Sequence, residues 1–227
     1  MIRQQQTSWS KSKIEAHSLH DDWRGGIGLL SRLGQLVFNL SGAIYSRNLI
    51  RAARLTPAES VIEIGCGMGA VLTETQRVLH STASYVGVDL SLQRIAQGRS
   101  RAENHRDSRT LLLVGSGVDL PIKNSQFDVV LLSHVAKYLT DEQLSQTLWE
   151  ARRILKPGGR IVLWDFHPFW VAPIRWLLLR DSKARKLREP GELQKAMRLA
   201  GFRDLNPFRI EDPWLRWADV ALIGRAV

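Results

Sequence analysis

Residues 61–72 read Val61-Ile62-Glu63-Ile64-Gly65-Cys66-Gly67-Met68-Gly69-Ala70-Val71-Leu72, and this stretch decides the fold. Its first four residues form a short, β-branched, apolar run, the pattern of a buried strand. Three glycines then alternate at 65, 67 and 69, and a helical pattern begins at Ala70. Glycine lets a chain turn tightly and approach a ligand with no Cβ in the way. The helix that follows aims its N-terminal amides at the same place. Strand, glycine turn and helix together predict a nucleotide-like ligand beyond the carboxyl end of the strand. About twenty residues further on, Asp89 ends a second strand, SYVGVD. A carboxylate there accepts two hydrogen bonds from the cis-diol of a ribose. The same residue is also a candidate cap for a helix starting at Leu92.

Outward from this stretch the chain alternates short apolar runs with longer amphipathic ones. SVIEIG, SYVGVDL, TLLLVG, FDVVLLS, GRIVLWDF, FRDLNPFRI and WADVALIGR read as strands. Residues 70–79, 92–103, 141–155 and 191–200 read as helices. The alternation predicts an α/β fold: a doubly wound, Rossmann-like, seven-stranded sheet, mostly parallel and covered on both faces. No helix separates the last two strands, so they form a C-terminal antiparallel hairpin. Residues 1–24 are polar and aperiodic and read as a mobile tail. Residues 25–55 read as helices covering the active site, with Tyr45 near the pocket. Residues 56–227 read as the main domain, with 168–190 inserted as a lid.

Composition narrows the classes further. The chain has 227 residues, 44% of them hydrophobic, enough for one α/β core. One cysteine, Cys66, leaves no internal disulfide framework. The six histidines show no ligand spacing outside the polar tail, so no metal site is expected. The N-terminal residues lack the apolar region of a secretory signal, and the most apolar early stretch is broken by Arg32, Gln35 and Asn39. A cytoplasmic location is the expectation. The net charge of +10 favours anionic partners.

The stretch VIEIGCGMGAVL resembles the first signature of class I S-adenosylmethionine-dependent methyltransferases. That signature is an acid, one residue, then glycines at alternate positions. VGVDLS resembles the family's ribose-binding strand end. LPIKNSQFDVVLLSHVAKYLTD resembles its fourth-strand region and LKPGGRIVLWD its fifth strand. The closing Gly201-Phe202 and LIGRAV resemble its terminal hairpin. The resemblance covers about residues 50–227. It implies S-adenosyl-L-methionine as cofactor. Glu63 would organise the glycine loop and the methionine amino group. Gly65, Gly67 and Gly69 would make close backbone contact, Asp89 would hold the ribose, and Leu90 would flank the adenine. Cys66, Ser116, Gly117 and Ser133 complete the implied cofactor set. One departure stands out. The family often has Gly-Asp after the third strand, and this chain has Gly115-Ser116. A serine accepts the same hydrogen bond without the charge, or Asp119 substitutes for it.

Methyl transfer needs a nucleophile held in line with the methyl group, and a base where the acceptor carries a proton. His134, Asp165 and His167, at the ends of the fourth and fifth strands, are the candidate catalytic residues. His134 comes first, as base or as a group that orients the acceptor. Each has a structural alternative: a packed histidine, a helix cap and a turn before Pro168. The lid holds Trp170 and Trp176, and Arg175, Arg180, Lys183, Arg185, Lys186 and Arg188 follow one another there with only Asp181 opposed. Tryptophan beside a basic run suits contact with an anionic membrane face, and equally an ordinary helix with a solvated face. The acceptor expected is a small molecule, apolar or lipid-like. Two alternatives stay open. A nucleic-acid methyltransferase fits the charge but not Ser133-His134-Val135-Ala136, so no nucleic acid is expected. A non-catalytic cofactor-binding protein of the same fold fits Ser116. Acceptor atom and oligomeric state are not legible.

Overall fold

The computed structural model describes residues 44–79, 83–104, 110–166, 185–208 and 219–227. The polar tail, the first part of the N-terminal helical region, His167 and most of the lid, including Trp170 and Trp176, lie outside them.

Seven strands form one sheet: β1 Val61–Ile64, β2 Tyr85–Asp89, β3 Thr110–Val114, β4 Phe127–Ser133, β5 Leu155–Phe166, β6 Phe202–Pro207 and β7 Asp219–Ala226. Among the described residues the α-helices are α1 (residues 44–53), α2 Leu72–Val78, α3 Leu92–Asn104, α4 Asp141–Ile154 and α5 Pro190–Leu199. The sheet order is β3-β2-β1-β4-β5-β7-β6. β1 pairs in parallel with β2 and β4, and β4 with β5. β7 runs antiparallel to both β5 and β6. This is the doubly wound sheet with a terminal hairpin that the alternation predicts.

The strands read as continuous apolar runs because both faces are buried. On one face Ile62, Ile64, Val130, Leu132, Ile161 and Leu163 pack against Leu144, Leu148 and Ala151 of α4 and Leu193 and Met197 of α5. On the other, Val61, Tyr85, Val129, Leu131 and Trp164 pack against Leu49 and Ala53 of α1, Leu72 of α2 and Ile95 of α3. Local chemistry agrees with the packing. Thr140 and Gln143 form a reciprocal cap at the start of α4, with Asp141 and Glu142 in its first turn and Arg152 and Arg153 in its last.

β5 begins earlier than the sequence suggests, at Leu155 rather than Gly159. Phe127 pairs with Leu155, but two residues later Val129 pairs with Arg160. Residues 156–159 therefore arch out of register, and Pro157, lacking an N–H, sits in that arch.

The chain runs outward from β1 to β3, then returns to β4 on the other side of β1. The sheet's switch of direction thus lies between β1 and β4, where open α/β sheets have their binding crevice. The glycine loop leaves β1 on one side of that crevice. Ser133 and His134 leave β4 on the other. At the opposite end of the sheet Arg160 pins the C-terminal end of α1, donating to Ala53 O at 2.6 Å, to Arg54 O at 2.8 Å and to both Glu59 oxygens.

Candidate active site

The first half of the site is mainly backbone. Gly65, Gly67 and Gly69 have φ values of +78°, +53° and +71°. Only glycine takes such values without strain. A Cβ at Gly65 would lie 2.2 Å from Val135 Cγ2, so this turn is also packed against the end of β4. A Cβ at Gly67 would meet no heavy atom within 4 Å: the crest of the loop faces open space. Asp89 fixes that crest. Its Oδ2 accepts from Gly67 N and its Oδ1 from Ser91 N, each at 2.9 Å. Asp89 is not the cap of α3. Ser91 does that work, its Oγ accepting from Arg94 N. Each carboxylate oxygen of Asp89 thus carries one amide and keeps a further acceptor site. Leu90 beside it is 42% exposed, free to flank a flat ring.

Glu63 and Cys66 lie deeper. Glu63 is buried and accepts a hydrogen bond from the Tyr85 hydroxyl at Oε2. Burial pushes its carboxyl up to about 7, against the Tyr85 hydrogen bond and with the help of the neighbouring Asp89 charge. Burial also pushes the Cys66 thiol far up, so this sulfur is inert packing. Ser116 is buried in a tight turn bridged to Asp119, its Oγ within 3.4 Å of Val118 N. A Cβ at Gly117 would stand 2.8 Å from Ile64 Cγ2, so this glycine serves close packing against β1.

The second half is made of side chains. His134 has φ +55°, and its amide donates to Trp164 O at 2.7 Å. Its ring stacks on Tyr45 at 4.7 Å and tilts against Phe166 at 4.4 Å between centroids. Tyr45 in turn meets Trp164 edge-on and shares a short hydrogen bond with Ser133 Oγ. His134 Nδ1 lies 3.8 Å from Asp165 Oδ1, beyond hydrogen-bond reach, and is buried with no hydrogen-bond partner among the described residues. Burial, with Lys137 close by, pushes this imidazole down to about 4.

Beneath the stack Lys137 and Asp165 form a buried pair. Lys137 Nζ donates to His134 O at 2.7 Å, lies 3.5 Å from Asp165 Oδ1, and sits 4.6 Å from the Phe166 ring centre. Asp165 Oδ2 accepts from Lys137 N and Oδ1 from Phe166 N, both at 2.8 Å. Burial would raise the Asp165 carboxyl, but Lys137 and then His134 hold it below its ordinary value. Arg188 clamps the same turn from outside the strands. It donates to Ala136 O at 2.5 Å, Leu139 O at 2.8 Å and Asp141 Oδ1. Lys137, Asp165, Phe166 and Arg188 line the narrow gap between this turn and the returning chain.

Comparison with known proteins places this geometry. A family model described as a methyltransferase domain matches residues 61–159. A second, described as the N-terminal part of anamorsin, matches residues 118–211. The chain is 32% identical over 143 residues to a demethylmenaquinone methyltransferase of Tropheryma whipplei, covering 62% of this chain and 56% of that one. The chain spans about half or less of the length of the first curated relatives it matches. Among solved structures, a geranyl diphosphate C-methyltransferase of Streptomyces coelicolor, in complex with Mg²⁺, geranyl diphosphate and S-adenosyl-L-homocysteine, superposes with a TM-score of 0.68. It is 18% identical and covers 81% of this chain and 79% of its own. A Haloferax volcanii methyltransferase complex with the activator Trm112 superposes with a TM-score of 0.69 at 19% identity, covering 86% of this chain and 93% of that one.

Residues 61–159 thus match a methyltransferase domain, and the chain is similar to the class I S-adenosylmethionine-dependent methyltransferases in sequence and in fold.

In this chain the crevice brings together Gly65, Gly67, Asp89, Ser133 and His134, all named from the sequence. Asp165 lies just below, with both oxygens engaged by its neighbours. His167 lies outside the described residues. Of the basic run, Arg188 is buried and fastens the turn from within, whereas Lys186 lies at the surface, paired with Asp141 and Glu192. Arg175, Arg180 and Lys183 lie outside the described residues. Two residues that sequence reasoning missed are Tyr85 and Lys137. A tyrosine in a strand and a lysine in a turn carry no signal of burial. Only the packing shows that they hold Glu63 and Asp165.

Proposed function

We propose that this chain transfers a methyl group from S-adenosyl-L-methionine to a small, apolar acceptor that presents a planar ring. The observation that carries the reading is the juxtaposition of the open crest at Gly67 with the Tyr45–His134–Phe166 stack across the β1/β4 crevice. Both residue sets fit the ligands proposed for them. Asp89 and the glycine loop would hold the cofactor's adenosine, and Glu63 would serve its methionine end. When bound, the cofactor supplies an electrophilic methyl group on a sulfonium. The chain's own share is to orient the acceptor and keep water out. Aromatic faces bind a flat apolar ring well. The demethylmenaquinone methyltransferase likeness supports such an acceptor.

His134 acts here as an orienting wall. A proton passing to an imidazole of about 4 from a phenol near 10 is uphill by about six decades. The acceptor is therefore one that reacts as its anion or needs no base. A labelled-methyl transfer assay with a short-chain demethylmenaquinol as acceptor tests the proposal. Incorporation into the ring carbon is expected. A second reading, cofactor binding without transfer, is favoured by Ser116 in place of the family's aspartate. Binding of S-adenosylhomocysteine with no label in this acceptor or in fractionated cell extract would select it.

A further inference from the structure

Glu63 is a buried acid without a counter-cation among the described residues. Gly87 faces it on β2 and Leu131 on β4. A Cβ at Gly87 would stand 2.7 Å from Cys66 Sγ, so the missing side chain makes room for the sulfur beneath the loop. The titratable groups around Glu63 are Tyr85 and Asp89 of β2 and Cys66 of the loop. Val61, Val129, Leu131 and Leu49, from β1, β4 and α1, are apolar. None of these groups carries a positive charge in either protonation state. Among the described residues, the side chain that hydrogen-bonds the Glu63 carboxyl is Tyr85, its hydroxyl itself buried.

We propose that Tyr85 is a positioning residue for the cofactor site, its hydroxyl fixing the Glu63 carboxyl beneath the glycine loop as counter-charge for the cofactor's α-ammonium end. The inference rests on the cofactor reading above and deepens it. A buried acid beside a second acid and no cation holds its proton near neutrality. An arriving ammonium favours the ionised form, so binding releases a proton. Tyr85 donates to that ionised form and so sets the pH at which the site is ready. A phenol used only for packing would have no such effect.

The test is calorimetric titration with S-adenosylhomocysteine from pH 6 to 8, in two buffers of different ionisation heat. Wild type is expected to bind about tenfold more tightly at pH 8 than at pH 6, with proton release. Y85F, which keeps the ring, should move that rise to higher pH. E63Q should give a flat profile and no proton release, and it carries the test if Y85F does not fold. A wild-type pH profile in Y85F, or in E63Q, overturns the proposal. A flat profile in a wild type that binds overturns it too, while leaving the cofactor reading intact. No binding by wild type at any pH defeats both.

Discussion

The two sides of the crevice are built from different materials. On the β1 side, backbone does the work: left-handed glycines, amides gathered by Asp89, and one open crest. On the β4 side, side chains do it: three stacked rings resting on a buried lysine–aspartate pair. Backbone geometry is tied to residue type at fixed positions, so the first side is written in the local sequence. The second side is assembled from α1, the end of β4, the turn at residues 136–138 and the end of β5. Its partners lie far apart along the chain, as Tyr45 and Phe166 do. The first side suits a ligand common to a whole family. The second suits one that differs from member to member.

The largest effect expected from disturbing this contrast is at Lys137. K137M removes the cation that holds Asp165 down and supports the His134 carbonyl. Breaking a buried pair by deleting one partner costs about 3–5 kcal/mol. Urea melts should show that loss. A loss below about 1 kcal/mol would mean that the stack stands without its base.

Next in size is an opposition between the two buried titrating groups. Glu63 is raised from 4.5 to about 7. Its contribution is full below pH 4.5 and is lost as pH rises through 7. His134 is lowered from 6.5 to about 4. Its contribution is full above pH 6.5 and is lost as pH falls through 4. Each is worth about 3 kcal/mol by linkage, and they slope in opposite directions between about pH 4.5 and 6.5. Relative to wild type, E63Q should gain stability as pH rises across that window, and H134N should gain as pH falls. Melts at four pH values check this. Parallel curves for all three proteins would remove both groups from the account.

Most of the fold was legible in the sequence. The seven-stranded, mostly parallel sheet and its hairpin follow from the spacing of apolar runs, because a two-faced sheet leaves few topologies. The start of β5 was missed because the arch at 156–159 depends on pairing with β4, which no local pattern reports. Within the site, the glycines and Asp89 were legible because turn geometry demands them. Lys137, Tyr85 and the fastening role of Arg188 were not. Lysine and arginine are ordinarily solvated, and what makes these two internal is a set of carbonyls and carboxylates brought by other elements.

The most direct test of the central claim compares wild type with G67A in titration by S-adenosylhomocysteine. Alanine at Gly67 strikes no protein atom within 4 Å, and its φ costs about 1–2 kcal/mol, so the variant should remain folded. Its methyl group would stand in the space assigned to the cofactor. The account predicts saturable, one-to-one binding by wild type and a loss of at least tenfold in G67A. Equal binding by the two proteins, or none by wild type, would contradict it.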